Sequence, residues 1–269
     1  MSPILEISNL GIVHAGRELV SGVSLSVAAG ERVGLIGESG SGKSLTALAG
    51  IGLLPEGMTA TGSVRLAGRE LVGAAERDIV PLRGTVAATV FQEPLTALDP
   101  LMRVGHQIGE VVLRHARRAG RSPGRAEVEA EVLSLMTRVA LPEPARLARA
   151  YPHQMSGGQR QRVAIAMALA CRPKLLIADE PTTALDVTTQ AEVLRLLGDL
   201  VREEGMGLLF IGHDLPVVGA AVDRVLVLRA GRLVEEGPVA EVLGQPKHPY
   251  TQDLVGAART FDQAIGAAL

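Results

Sequence analysis

One octapeptide limits the folds open to this chain more than any other feature. Residues 37–44, Gly-Glu-Ser-Gly-Ser-Gly-Lys-Ser, fit the phosphate-loop pattern GxxxxGKS. The apolar segment Arg32 to Ile36 precedes them as a predicted strand, and a helical pattern begins near Lys43. Glycines let backbone N–H groups turn inward around phosphates, and the N-terminal end of a helix attracts the same anion. The sequence therefore favours a phosphate-binding strand–loop–helix unit over an ordinary glycine-rich turn.

The residues of this loop have separate expected roles. Lys43 is expected to reach the β- and γ-phosphates of a nucleotide, and Ser44 to bind Mg²⁺. The full predicted nucleotide-binding set in this segment is Gly37, Glu38, Ser39, Gly40, Ser41, Gly42, Lys43, Ser44 and Leu45. Because the loop recognises phosphates and not the base, it does not choose between ATP and GTP.

Composition excludes several other classes of protein. A formal net charge of −2 gives no global electrostatic reason to bind nucleic acid or an anionic membrane. Cys171 is the only cysteine, so a disulfide framework and a four-cysteine metal site are excluded, and a reducing cytoplasm is expected. No export signal is visible, and no apolar run approaches the roughly 20 residues of a membrane helix.

Periodicity divides the chain into strand-rich and helix-rich parts. Alternation at Ile4 to Ser8 and at Val23 to Val27 predicts an antiparallel sheet. Helical patterns at Gln159 to Ala170 and Thr188 to Glu204 lie between later strands, which predicts a doubly wound parallel sheet. Those later strands are expected at Thr85 to Phe91, Leu175 to Ala178, Leu208 to Ile211 and Arg224 to Leu228.

A proline-broken helical region from Glu93 to Met155 predicts an inserted helical subdomain. Its basic stretch, Arg114 to Arg125, carries no aromatic residues for stacking on bases and is expected to be solvated surface. The tail after Gly231 is short and rich in Gly, Pro and Ala.

Two adjacent acids end an apolar strand in the second half of the chain. Leu175 to Ala178 runs directly into Asp179 and Glu180, which places carboxylates at the carboxyl edge of the predicted sheet. Asp179 is expected to hold Mg²⁺ through a coordinated water, and Glu180 to orient or deprotonate the attacking water. The alternative, two acids that merely cap a strand end, is disfavoured by their combination with the phosphate loop.

The segment 151–162, Tyr-Pro-His-Gln-Met-Ser-Gly-Gly-Gln-Arg-Gln-Arg, resembles the signature of the ATP-binding-cassette (ABC) family. Alone, its Ser-Gly-Gly would be an ordinary turn with a serine N-cap. The resemblance is extended by Gln92 at the Q-loop position, by Ala184-Leu185-Asp186 as a D-loop and by His213 as the H-loop. It implies that the signature, Ser156, Gly157, Gly158 and Gln159, faces the γ-phosphate held by an opposite subunit.

The resemblance also implies roles for single residues. His213 would contact the γ-phosphate and align Glu180, and Gln92 would join the Mg²⁺ site and transmit the nucleotide state. Asp186 belongs to the implied nucleotide site. The aromatic residue that usually stacks on adenine is replaced by His14, for which an ordinary loop role is the alternative. ATP as the nucleotide rests on this resemblance.

The implied fold is α/β: a RecA-like P-loop NTPase core with an antiparallel β subdomain and an inserted helical subdomain. The expected ABC ATPase domain spans residues 1–235, with the insertion at 93–158, and a short C-terminal extension spans 236–269. Residues 91–100 and 178–187 look like those of oligopeptide, dipeptide and nickel importers, as does the tail phrase 248–252, His-Pro-Tyr-Thr-Gln. The expected function is to energise uptake of peptides or nickel, and the motor residues do not choose between them.

Partners and location follow from the resemblance. They are a paralogous ATPase subunit or a second copy in an ATP-sandwich dimer, two integral membrane permeases and an external binding protein, without nucleic acid. The chain would act peripherally at the cytoplasmic face of the inner membrane. Two alternatives are a subunit of a soluble enzyme complex of the phosphonate-breakdown type and a DNA-repair ATPase.

Overall fold

A computed structural model describes residues 3–92, 97–183 and 185–266. The chain divides into two compact units: unit 1 comprises Met1–Leu82 and Gly205–Leu269, and unit 2 comprises Arg83–Glu204. Among the described residues, no helix is both long enough and apolar enough to cross a bilayer.

Unit 1 begins with an antiparallel sheet. Its strands are β1 (Leu5–His14), β2 (Arg17–Val27), β4 (Met58–Leu66) and β5 (Arg69–Glu70), in the order β2-β1-β4-β5. Leu5, Ile7, Leu10 and Ile12 of β1 are almost fully buried, and an irregularity between Ile7 and Leu10 interrupts the alternation of side chains. The predicted antiparallel part is confirmed, although the sequence did not predict β4.

A second sheet in unit 1 carries the parallel strands. The strand β3 (Arg32–Ile36) lies between β8 (Gly207–Gly212) and β9 (Arg224–Arg229) and runs parallel to both, and β10 (Arg232–Pro238) pairs antiparallel with β9. The three parallel strands β3, β8 and β9 are near-continuous apolar runs because both of their faces are covered, and Val33, Leu35, Ile211 and Val227 are fully buried. The predicted strands at these positions are confirmed.

Unit 1 contains five helices among the described residues, of which the last two follow the final strand β10. They are α1 (Lys43–Gly50), α2 (Glu76–Ile79), α8 (Leu215–Ala221), α9 (Val239–Val242) and α10 (Pro249–Gly266). No helix was predicted in the C-terminal extension, where α10 lies. Proline is favoured at the first position of a helix and alanine is the best helix former, so Pro249 and the alanines after it are compatible with this helix.

Unit 2 contains a parallel strand pair, β6 (Ala87–Val90) and β7 (Leu175–Asp179). Its helices are α3 (Val104–Arg118), α4 (Arg125–Arg138), α5 (Pro144–Leu147), α6 (Gly157–Leu169) and α7 (Val187–Glu204). The predicted helices near 159–170 and 188–204 are confirmed as α6 and α7. Helices α3, α4 and α5 lie within the range predicted for the inserted subdomain, whose limits stay a prediction, and Glu93 to Thr96 lie outside the described residues.

Candidate functional site

The phosphate loop in unit 1 follows directly from the buried end of β3. Gly37 has φ +149°, and a Cβ atom at this position would lie 2.1 Å from the carbonyl oxygen of Leu228. Gly42 has φ +102° and ends the loop as the N-cap of α1. No other residue type fits Gly37 without moving the backbone of β9, and Gly42 adopts a conformation that L-residues with a side chain rarely adopt.

Lys43 extends back along this loop. Its side chain is buried, and Nζ donates hydrogen bonds of 2.8 Å to the carbonyl oxygens of Gly37 and Glu38. A buried ammonium group needs such acceptors, because burial without them is costly. The structure therefore holds the positive charge at the loop itself, within reach of any anion that the loop encloses.

The loop is chemically suited to a polyphosphate. The N-cap of helix α1, Gly42, has no side chain to cap the helix, and the first turn contains no acidic residue that would repel an anion. A Cβ atom at Gly40 would meet no other atom within 4 Å, so the middle of the loop faces open space. Backbone N–H groups, a helix N-terminus and one lysine are the donors that bind phosphates in such loops.

His213 lies at the same end of the parallel sheet as the loop. Ile36 of β3 is paired with Gly212 of β8, so the residues that follow, Gly37 and His213, leave the sheet at the same edge. His213 is exposed, and Asp214 after it caps α8 by accepting the backbone N–H of Val217 at 3.3 Å. The structure thus brings His213 to the phosphate-loop edge of unit 1.

His14 ends β1 at a two-residue turn, where Ala15 and Gly16 both have positive φ. Its side chain is exposed, and its ring lies near Gly57, where a Cβ atom would be 3.6 Å from Cδ2 and Nε2. An exposed imidazole can stack on a base, and adenine stacking by His14 stays a prediction.

The acids of unit 2 are positioned by strand register. Val90 of β6 is paired with Ala178 of β7, and two residues further Gln92 and Glu180 meet. The side-chain Nε2 of Gln92 donates to Oε2 of Glu180 at 2.9 Å, and Thr183 Oγ1 donates to the same oxygen at 3.1 Å. Two separately predicted site residues, Gln92 and Glu180, are therefore brought together, and Thr183 is a further partner of Glu180 that was not predicted.

Glu180 has an uncommon backbone conformation. Its φ is +47°, in the left-handed region where a residue with a side chain is strained. Such strain is concentrated at functional sites, because the surrounding structure must enforce it. Glu180 directly follows Asp179, the last residue of β7. The arrangement turns the Glu180 carboxylate at the strand end toward Gln92 and Thr183.

The predicted signature begins helix α6. Ser156 is its N-cap, and its hydroxyl accepts the Gln159 N–H at 3.3 Å while Gln159 Oε1 accepts the Ser156 N–H at 3.1 Å. This reciprocal capping box fixes the start of the helix. A Cβ atom at Gly158 would lie 2.3 Å from Cγ2 of Thr189 on α7. Gly158 thus has a packing role that the sequence analysis did not identify.

Asp186 caps the neighbouring helix α7. Its carboxylate accepts the Thr189 N–H at 3.0 Å and the Thr189 hydroxyl at 2.7 Å. The Thr189 backbone N–H and then its hydroxyl hold the pKa of this carboxyl below its ordinary value.

Ser156 and Gly157 are exposed at the start of α6. Ala184, in the predicted D-loop, lies outside the described residues.

Comparison with known proteins decides the family. The ABC transporter family model matches residues 20–183, which is more than half of the chain.

The chain belongs to the ABC transporter family.

Several ABC transporter relatives match over almost the whole chain. The oligopeptide transport ATP-binding protein OppD of Salmonella typhimurium is 44% identical, over 96% of this chain and 77% of that protein. The oligopeptide transport ATP-binding protein AppD of Bacillus subtilis is 41% identical, over 98% of this chain and 81% of that protein. OppD of Mycobacterium bovis is 45% identical over the full chain, which spans only 44% of that longer protein.

Solved ABC structures have the same fold. The Clostridium perfringens protein cbiO1, part of the ABC transporter complex cbiONQ, superimposes with a TM-score of 0.78 at 26% identity, covering 91% of this chain and 92% of that one. The ATP-binding cassette MJ0796, in a dimeric post-hydrolysis state with ADP and phosphate, has a TM-score of 0.74 at 30% identity, covering 87% and 98%. These findings confirm the predicted ABC ATPase fold and identify the chain as an ATP-binding ATPase. A DNA-repair or soluble enzyme-complex role is not favoured.

Proposed function

We propose that this ABC ATPase energises the import of peptides through separate membrane permeases. The observation that carries the proposal is the hydrogen bond between Gln92 and Glu180. It ties the carboxylate expected to activate water to the residue that precedes the predicted helical insertion. Hydrolysis at Glu180 and movement of that insertion can be coupled through this contact. The printed names of the relatives, oligopeptide transport ATP-binding proteins, support peptides as the cargo.

In this proposal the phosphate loop binds the triphosphate of ATP. Lys43 exchanges its two carbonyl acceptors for the β- and γ-phosphates, and backbone N–H groups of the loop other than that of Glu38, which donates to Tyr250, surround them. Ser44, Gln92 and Asp179 offer a hydroxyl, an amide and a carboxylate oxygen, which are the hard oxygen ligands that Mg²⁺ prefers. Bound Mg²⁺ would neutralise charge that develops on the phosphates.

Glu180 supplies the general base in the same proposal. Its carboxylate, oriented by Gln92 and Thr183, accepts a proton from the attacking water or holds that water in line. His213 contacts the γ-phosphate and keeps this arrangement aligned. His14 stacks on the adenine. Each of these roles is testable by a conservative substitution.

The exposed signature supports a dimer in which two chains share two ATP molecules. Ser156 and Gly157 are exposed at the N-terminal end of α6, an end that attracts anions. We infer that they contact the γ-phosphate bound by the phosphate loop of a paralogous subunit or second copy. Asp186 lies in the same shared site. Two integral permeases and an external binding protein complete the importer, and the ATPase acts peripherally on the cytoplasmic face of the inner membrane.

Uptake by the host organism tests the proposal. The gene is deleted and restored as wild type or as Glu180→Gln, and uptake of radiolabelled dipeptide and oligopeptide is measured beside that of nickel. We expect wild type alone to restore peptide uptake, while purified Glu180→Gln binds ATP and barely hydrolyses it. Nickel uptake that alone depends on the gene would replace peptides as the cargo. Wild-type hydrolysis rates in Glu180→Gln would remove Glu180 from its role.

A further inference from the structure

The tail phrase at residues 248–252 is tied to the sheet of unit 1. Glu235 on β10 accepts the backbone N–H of Lys247 at 2.8 Å and that of His248 at 3.0 Å. Partial burial would raise the pKa of Glu235, but these N–H donors hold it below its ordinary value. The segment that leads into α10 is therefore anchored at its start by one carboxylate.

The first turn of α10 buries a tyrosine. Tyr250 is 4% exposed, and the guanidinium carbon of Arg229 lies 4.8 Å from the centroid of its ring. Its backbone N–H donates to Nδ1 of His248 at 3.2 Å. A cation over the ring and a fixed backbone leave the phenol with one orientation.

That orientation places the phenol oxygen on the phosphate loop. The hydroxyl of Tyr250 accepts the backbone N–H of Glu38 at 3.0 Å, across 212 positions of sequence. The same peptide group, between Gly37 and Glu38, presents its carbonyl oxygen to Lys43 Nζ at 2.8 Å. Lys43 thus binds the carbonyl oxygen of this amide, and Tyr250 binds its N–H group.

We propose that Tyr250 is a positioning residue for the phosphate loop, through which the C-terminal segment sets the affinity for ATP. The proposal rests on the proposed function, in which the Lys43 loop binds the phosphates. Gly37 has no side chain to restrict rotation of the amide that follows it. The Tyr250 hydroxyl restrains this amide through the N–H of Glu38. It therefore keeps the Gly37 carbonyl group in place when Lys43 leaves that carbonyl for ATP.

The conservative variant Tyr250→Phe removes the hydroxyl and retains the ring beneath Arg229. The matched control is Tyr151→Phe, because Tyr151 is the other tyrosine of the chain. The guanidinium carbon of Arg103 lies 5.8 Å from the centroid of its ring. Lys43→Ala tests the phosphate loop itself. The readouts are the Kd for ATP by calorimetry and hydrogen exchange at the Glu38 amide in the full chain.

We expect Tyr250→Phe to raise the Kd for ATP about two- to tenfold, the range for one lost hydrogen bond, and to speed exchange at Glu38. Exchange along α10 should stay unchanged, as should both readouts in Tyr151→Phe. Wild-type values in Tyr250→Phe would overturn the inference, and so would equally faster exchange along α10, since that indicates general loosening. If Lys43→Ala binds ATP like wild type, the proposed function of the loop fails instead.

Discussion

The phosphate loop and the signature each place glycines at the start of a helix, yet the two helix ends are built differently. Helix α1 starts at Gly42 without a side-chain cap, and the loop before it is held by Lys43 and Tyr250. Helix α6 starts at Ser156, whose capping box with Gln159 satisfies its N-terminal groups locally. The first end has the ammonium group of Lys43 bonded within the loop, whereas Ser156 and Gly157 at the second end offer a hydroxyl and backbone N–H groups. This difference supports one end binding phosphate by itself and the other needing a partner chain.

The glycines of the two sites also serve different purposes. Gly37 and Gly42 have positive φ, and Gly37 lies against the backbone of β9. Gly158 is helical, and the space beside it is taken by Thr189 of α7. Backbone conformation determines the first pair and helix packing the last.

The largest expected effect on stability is that of Gly37→Ala. The new Cβ would lie 2.1 Å from the Leu228 carbonyl oxygen, and this clash can be removed only by moving the backbone of the phosphate loop or of β9. We expect the free energy of unfolding to fall by more than about 2 kcal/mol, measured by urea denaturation. Gly40→Ala is the control, since its Cβ would meet open space and only the strain of φ +78° remains. Equal losses in the two variants would contradict the packing argument.

Gly158→Ala should have the next largest effect. Its Cβ would lie 2.3 Å from the Thr189 methyl carbon, so α6 and α7 must move apart at a cost of about 1–3 kcal/mol. Adding Thr189→Ser removes that methyl group while retaining a hydroxyl for Asp186, and should restore most of the loss. Thermal and urea unfolding of the single and double variants measure this. A double variant no more stable than Gly158→Ala would reject close helix packing as the cause.

Substitutions of Ser156 separate capping from phosphate binding. Ser156→Ala should lower the unfolding free energy by about 1 kcal/mol, because the Gln159 N–H loses its acceptor. Ser156→Asp retains an acceptor and should unfold like wild type, yet its charge should repel the γ-phosphate and reduce ATP hydrolysis. Full ATPase activity in Ser156→Asp would show that this helix end does not approach phosphate.

The smallest effect concerns the anchor of the tail. Because the folded-state pKa of Glu235 lies below its ordinary value of 4.5, its ionised form stabilises the native state. That contribution is fully present above about pH 4.5 and is lost as the pH falls through the lower folded-state value. Wild type should therefore melt slightly above Glu235→Gln near neutral pH, and the difference should disappear in acid. If the difference in melting temperature grew below pH 4.5, the folded-state pKa of Glu235 would not be lowered, and the prediction would be wrong.

Sequence reasoning located the elements that carry motifs more accurately than the contacts between them. The strand Arg32–Ile36 and the helix start at Lys43 were predicted at their observed positions, because apolar burial and the glycine loop are local signals. The bond between Gln92 and Glu180 depends on the register of two strands far apart in sequence. Nothing near Glu38 in the sequence indicates its contact with Tyr250, which lies 212 positions away in the segment 248–252. Similarly, the packing role of Gly158 is visible only once Thr189 is in place.

The most direct test of the difference between the two helix ends is the Kd for ATP of the isolated chain as wild type, Lys43→Ala and Gly157→Asp. Gly157 is exposed at the start of α6, and Lys43 is buried in the phosphate loop. We predict that Gly157→Asp binds ATP within about twofold of wild type, while Lys43→Ala loses at least about tenfold in affinity, as expected for a charged hydrogen-bond donor. Loss of binding in Gly157→Asp to the same extent as in Lys43→Ala would contradict the account.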